Sequence, residues 1–194
     1  MGMYQYVREL WKTPSESLGE LWQKRLIEWR NEDASIRIER PTRLDKARAL
    51  GYKAKQGYIL IRQRVDRGGR QRELIRKGRK NRQFSRRKDL DKSYQSVAEQ
   101  RAVKKYDNCE VLNSYYVGED GLHYWYEVIL VDKAHPSILA DPRINWIANP
   151  ANTRRVFRGL TTAAKKSRGL KNKGKGAEKL RPSLTANIKR RMRQ

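Results

Sequence analysis

Near the start of the chain, Leu18, Leu21, Trp22, Leu26 and Trp29 recur at intervals of three and four, while Lys24, Arg25, Glu28 and Arg30 occupy the positions between them. That period predicts an amphipathic helix with one face in a core. Its start is marked by Thr13-Pro14-Ser15-Glu16: a capping hydroxyl, a proline suited to the first helical position and a glutamate able to bond back to the cap. A shorter helix over residues 4–12 precedes it, with Val7, Leu10 and Trp11 facing the same way. Residues 43–50 read as a short helix closed by Gly51, and residues 58–61 as a strand apolar on both faces. After a Ser93 cap, Tyr94, Ala98, Ala102 and Tyr106 repeat every four residues and predict a helix over 94–106.

The strongest pairing signal follows. Residues 111–117 and 122–132 flank Gly118-Glu119-Asp120-Gly121, a connection that joins antiparallel strands. On the second strand Tyr124, Tyr126, Val128 and Leu130 alternate with Trp125, Ile129 and Val131, so both faces need cover. The expected fold class is mixed α/β: a small, mainly antiparallel sheet covered by helices on both faces, with long basic extensions. Strand order stays open. The chain divides into residues 1–61 (N-terminal helices and first strand), 62–92 (a basic loop), 93–150 (the helix and hairpin that complete one body) and 151–194 (a basic C-terminal arm).

Charge changes this picture most. Against 21 Asp and Glu stand 46 Lys and Arg, a net +25 that nucleic acid, with its condensed counterions, is best suited to neutralise. The excess is not spread evenly. Residues 62–92 hold fourteen Lys and Arg with four acids, and residues 154–194 hold fifteen with one. Asp107, Glu110, Glu119, Asp120, Glu127, Asp132 and Asp141 lie instead around the hairpin. In the first basic segment glycines interrupt the arginines and no apolar period survives, so it is expected to be mobile alone and to order on RNA. Guanidinium forks suit phosphate and unpaired bases. Its candidates, on charge, are Arg72, Arg76, Lys77, Arg79, Lys80, Arg82, Arg86, Arg87 and Lys88. In the second segment they are Arg154, Arg155, Arg158, Lys165, Lys166, Arg168, Lys171 and Lys173, with helical pieces near 159–167 and 183–192. For residues 171–181 a disordered solubilising tail is the competing reading.

Other chemistry finds little support. The longest aliphatic run, residues 128–131, is far short of the ~20 residues of a spanning helix, so no membrane association is expected. No apolar signal core opens the chain, and a lone Cys109 suits a reducing compartment and a small buried role. Residues 169–176 imitate a P-loop, but Gly176 stands where Ser or Thr would hold magnesium and no apolar strand precedes. His123 lies in a strand, and His135, before Pro136, reads as a turn or RNA-contact residue. With Asp132 it could form a dyad, yet no nucleophile accompanies them. No catalytic residue, metal, cofactor, small-molecule substrate or homo-oligomer is therefore expected. An RNA-modifying enzyme and a DNA-compacting protein share the charge and remain as rivals, without the acid–base site or the DNA-binding motifs each would need.

The run RPTRLDKARALGYKAKQGYILIRQRVDRGGR at 40–70 closely resembles the signature of the large-subunit ribosomal protein family called fifteen-e, shared by archaea and eukaryotes. YQSVAEQRA at 94–102, VLNSYYVGEDG at 111–121, YEVILVD at 126–132, RGLTTAAKKSRGL at 158–170 and the opening MGMYQYVRELW extend the likeness over most of the chain. The resemblance implies a non-catalytic, cytoplasmic constituent of the ribosome, nucleolar during assembly if the source is eukaryotic. Its implied partners are large-subunit ribosomal RNA and neighbouring ribosomal proteins. On the matching run it marks Arg40, Arg43, Lys46, Arg48, Lys53, Lys55 and Gln56 for RNA contact, continuing into Arg62, Arg64, Arg67 and Arg70. Gly51 and Gly57 read as turns or close approaches.

Overall fold

A four-stranded antiparallel sheet organises the chain in a computed structural model that describes residues 2–69 and 91–192. The elements run α1 (Met3–Leu10), α2 (Pro14–Leu18), α3 (Glu20–Asn31), β1 (Ser35–Ile38), α4 (Leu44–Ala49), β2 (Tyr58–Asp66), α5 (Tyr94–Val103), β3 (Cys109–Glu119) and β4 (His123–Asp132). After them come α6 (Pro136–Leu139), α7 (Thr162–Ser167) and α8 (Leu184–Arg191), with short 3-10 turns between. The strands lie in the order β1-β2-β4-β3.

Alternation along β4 decides what covers each face. Trp125 and Ile129 join Leu60, Tyr115, Trp22 and Trp29 under the N-terminal helices. Val128 and Leu130 join Ile61, Val111, Ala102, Val103 and Val156 on the opposite face, beneath α5. The two-sided cover expected from the hairpin is what forms. A chain of edge-on and tilted rings, Trp11 to Trp22 to Trp29 to Trp125, ties the helices to the sheet at 5.8 Å per step. Ser93 caps α5 through the Ser96 N–H, and Gly51, with φ +99°, closes the turn after α4.

Several expectations need correction. The single helix from Pro14 is two, because Gly19 adopts φ +50° between them, and the Thr13 hydroxyl makes no cap bond. Of its apolar stripe, Trp22 and Trp29 are buried while Leu21 stays half exposed. Gly118 is not a turn residue. It lies in β3 beside a register shift, where an added Cβ would come within 2.6 Å of the Trp22 ring, so only glycine admits that indole. Gly57 is likewise a close approach: its Cβ would stand 2.5 Å from Ile138.

The strand read over 58–61 continues to Asp66, pairing with β4 as far as His123. Gln63 and Val65 are buried on the α5 side, while Arg62 and Arg64 point to the α3 side and find acceptors there. β1, four residues long with Arg37 inside it, escaped the hydrophobic pattern and pairs antiparallel with β2. The start of the region read as an arm is part of the body. Val156, Thr161, Ala163 and Ala164 are buried: Val156 packs with Ile61, Val111 and Ala102, and Thr161 and Ser114 both donate to the Glu99 carboxylate, which ties the start of α7 and β3 to α5.

Candidate nucleic-acid interface

The candidate cations separate into those the fold uses and those it leaves on the surface. Arg62 grips Glu32 with two nitrogens, Nη2 to Oε1 at 2.6 Å and Nε to Oε2 at 3.1 Å, and lies 4.9 Å from the Trp29 ring centre. Arg64 donates to the backbone carbonyls of Trp29, Arg30 and Glu32, the unpaired acceptors at the end of α3. Arg43 pairs with buried Asp45 at 3.5 Å and covers the Trp11 ring. Arg155 donates to the carbonyls of Val111 and Leu112, at 2.7 and 3.2 Å, where β3 bulges. Burial holds its pKa below the ordinary value, against the pull of Glu99 and Glu110.

The acids around the hairpin account for three more. Asp141 takes Lys55 at 2.7 Å and Lys53 at 3.2 Å. The Lys55 bond, the Arg143 N–H and Lys53 hold its carboxyl well below the usual carboxylate range. Arg67 donates to the Asp120 carbonyl at 2.7 Å, lies 3.7 Å from Glu119 and covers Tyr124. Asp120 also pairs with Arg30 at 3.2 Å and accepts the N–H groups of Leu122 and His123. Burial opposes ionisation of Asp120, but those donors win and its pKa falls.

On the surface stand Arg40, Lys46, Arg48, Gln56, Arg154, Arg158, Lys165, Lys166, Arg168, Lys171 and Lys173. Among the described residues, no carboxylate lies within 4 Å of any of these ten cations. Lys46 and Arg48 occupy α4, and Lys165 and Lys166 lie in the last turn of α7. Arg70, Arg72, Arg76, Lys77, Arg79, Lys80, Arg82, Arg86, Arg87 and Lys88 fall outside the described residues, as does most of the loop expected to order on RNA.

Exposed cations also occur where no candidate was named. Arg101, Lys104 and Lys105 lie on or just after α5, and Lys189, Arg190 and Arg191 end α8. The first three were hidden by a helix read for its apolar face alone.

The remaining titratable groups are structural. His135 caps α6 by accepting the Ser137 N–H, and the Asp132 carboxylate accepts the N–H of Ala134. His123 sits between Asp120 and Asp66. Burial, with Asp132 next, pushes the Cys109 thiol up to about 11, away from the reactive thiolate. Among the described residues no three His, Cys, Asp or Glu side chains form a metal site, and no helix is long and apolar enough to cross a membrane.

A family model described as Ribosomal L15 matches residues 2–187. Over 191 residues the chain is 51% identical to the large ribosomal subunit protein eL15 of Methanospirillum hungatei JF-1, covering 97% of both chains. It is 53% identical over 187 residues to the eL15 protein of Thermoplasma volcanium, covering 95% of both.

Proposed function

The chain belongs to the Ribosomal L15 family and is a structural, non-catalytic constituent of the large ribosomal subunit, and we propose that it works by clamping folded ribosomal RNA between its surface cations. The observation that supports this is the sorting of charge. Arg43, Lys53, Lys55, Arg62, Arg64, Arg67 and Arg155 are held by the fold. By contrast, Arg40, Lys46, Arg48, Arg154, Lys165, Lys166, Arg168, Lys171 and Lys173 are exposed and have neither a carboxylate nor a carbonyl partner for the side chain among the described residues, and Arg158, also exposed, reaches only the Ala151 carbonyl. An exposed cation without a counter-charge is stabilised by phosphate. The cations that end α8 add to the same surface charge, the sequence of residues 70–90 carries further Lys and Arg, and neighbouring ribosomal proteins are the remaining partners.

Binding of this kind reads shape more than sequence, since the phosphates carry no base identity. The test is binding to large-subunit ribosomal RNA and to duplex DNA at matched ionic strength. The expected result is tighter binding to the RNA, with log K falling by ~0.7–0.9 per decade of salt for each phosphate neutralised. Equal affinity for both, or no dependence on salt, would overturn the reading.

A further inference from the structure

Between the start of α5 and the end of α7 lies a cavity of about 320 Å³. Buried Val156 and Ala164 form its apolar part. Lys92, Arg158 and Arg168, all exposed, line it as well, against a single acid, Asp91. Among the described residues, none of the three cations lies within 4 Å of a carboxylate. Arg168 is held in place by what Gly159 lacks: a Cβ built there would stand 2.8 Å from Nη1 and 3.4 Å from Cδ of the arginine. Gly159 also has φ +74°, so its backbone and its neighbour both exclude a side chain. Ser167, another wall residue, accepts the Ser93 N–H at 2.8 Å, which fastens α7 to the start of α5 and leaves the hydroxyl hydrogen to donate. Lys92 gives one donor to Gln100 at 3.3 Å and Arg158 one to the Ala151 carbonyl, so each keeps others.

We propose that this cavity holds one phosphodiester group of the ribosomal RNA, with Arg168 and Lys92 converging on the same phosphate from opposite walls. The inference rests on the RNA-binding reading above and names the group that one part of that surface takes. Guanidinium donors match phosphate oxygens in pairs, and a planar fork that is already positioned loses less freedom when it binds. Gly159 supplies that positioning. The ammonium of Lys92 adds a point charge, and the Ser167 hydroxyl a neutral donor, so the wall offers donors in several directions, as a tetrahedral acceptor requires. The volume is at the small end of the ~300–1,000 Å³ of ligand pockets, which admits a phosphodiester and its ribose but not a duplex. No donor in this set reads a base edge, so the site fixes the path of the RNA backbone and not its sequence.

Ethylnitrosourea, which ethylates phosphate oxygens and removes their charge, provides the test. Sparsely ethylated large-subunit ribosomal RNA is bound to the natural chain, to Arg168→Ala and to Lys92→Ala, and the phosphates whose ethylation excludes RNA from the bound fraction are mapped. Both side chains are exposed, so both variants keep the body folded, which an unaltered melting curve checks. Expected is one phosphate that interferes with the natural chain and no longer does so with Arg168→Ala, the other positions persisting and the affinity falling several-fold. Interference at that same phosphate should weaken with Lys92→Ala. Loss of a different phosphate with Lys92→Ala would show that the two cations bind separately and would overturn the shared site. An unchanged map with Arg168→Ala would overturn it too, while leaving the RNA-binding reading standing. No interference anywhere with the natural chain would overturn both. A photoreactive benzoylphenylalanine at position 157, whose exposed ring borders the cavity, gives an independent outcome in intact large subunits. Cross-links into RNA are expected, and cross-links into protein alone would overturn the assignment.

Discussion

Glu127 shows how one buried residue sets a property of the whole fold. It is fully buried in β4, accepting the Thr42 N–H at 3.1 Å and the Tyr115 hydroxyl, with Arg62 opposite it on β2. Burial raises its pKa above the ordinary 4.5, and the donors from Thr42 and Tyr115 offset this only in part. A carboxyl whose folded-state pKa is raised contributes stability that is fully present below its unfolded value and lost as pH rises through the folded one. Glu99, buried among Ser114 and Thr161, shifts in the same direction for the same leading reason. Glu127→Gln keeps an acceptor for Thr42 and offers a donor to the Tyr115 oxygen while removing the ionisation. Its urea midpoint should therefore gain on the natural protein as pH rises above 4.5. A gap that stays constant with pH would show that Glu127 has the same pKa in the folded and the unfolded chain, against the raised value that its burial implies.

Among the elements, β2 shows the difference between cations that build the protein and those proposed to bind RNA. Arg62 and Arg64 look like the beginning of a basic loop, yet strand pairing carries them onto the α3 side of the sheet. Arg62→Ala should cost about 1.5–3 kcal/mol of stability through the lost charged hydrogen bonds to Glu32. At matched folded protein it should leave RNA affinity nearly unchanged. Lys165→Ala with Lys166→Ala, on exposed positions of α7, should do the reverse: an unaltered melting curve and a shallower salt dependence of RNA binding. If both pairs of effects coincide, the division between held and free cations is wrong.

The same strand marks the limit of what is legible in the residues. The hairpin, the Ser93 cap and the turn at Gly51 depend on near neighbours, and each was readable from the chain. Arg62 has its partner 30 residues away and Arg155 its acceptors 44 and 43 away, so local pattern shows their charge and conceals its use. β1 is too short, and too interrupted by Arg37, to stand out before β2 pairs with it. Val156 and Thr161 read as part of an arm because their packing partners, on β3 and α5, lie far back in the chain.

For the molecule as a whole, a net charge of +25 sits on a chain in which seven of the nineteen described acids pair with Lys or Arg of the same chain. Asp141, Asp120 and Glu32 each hold basic side chains in place. Among the described residues, exposed cations without a carboxylate stand on α4, at the end of α5, on α7 and on α8, around a sheet covered on both faces. Such a body is a rigid mount for cations, suited to a partner that surrounds it. Sedimentation of cell extract through a sucrose gradient at moderate salt, with the chain followed by antibody, tests this most directly. The account predicts that the protein travels with the large ribosomal subunit and is released toward the top of the gradient as salt is raised. Its absence from large-subunit fractions at moderate salt would contradict the account.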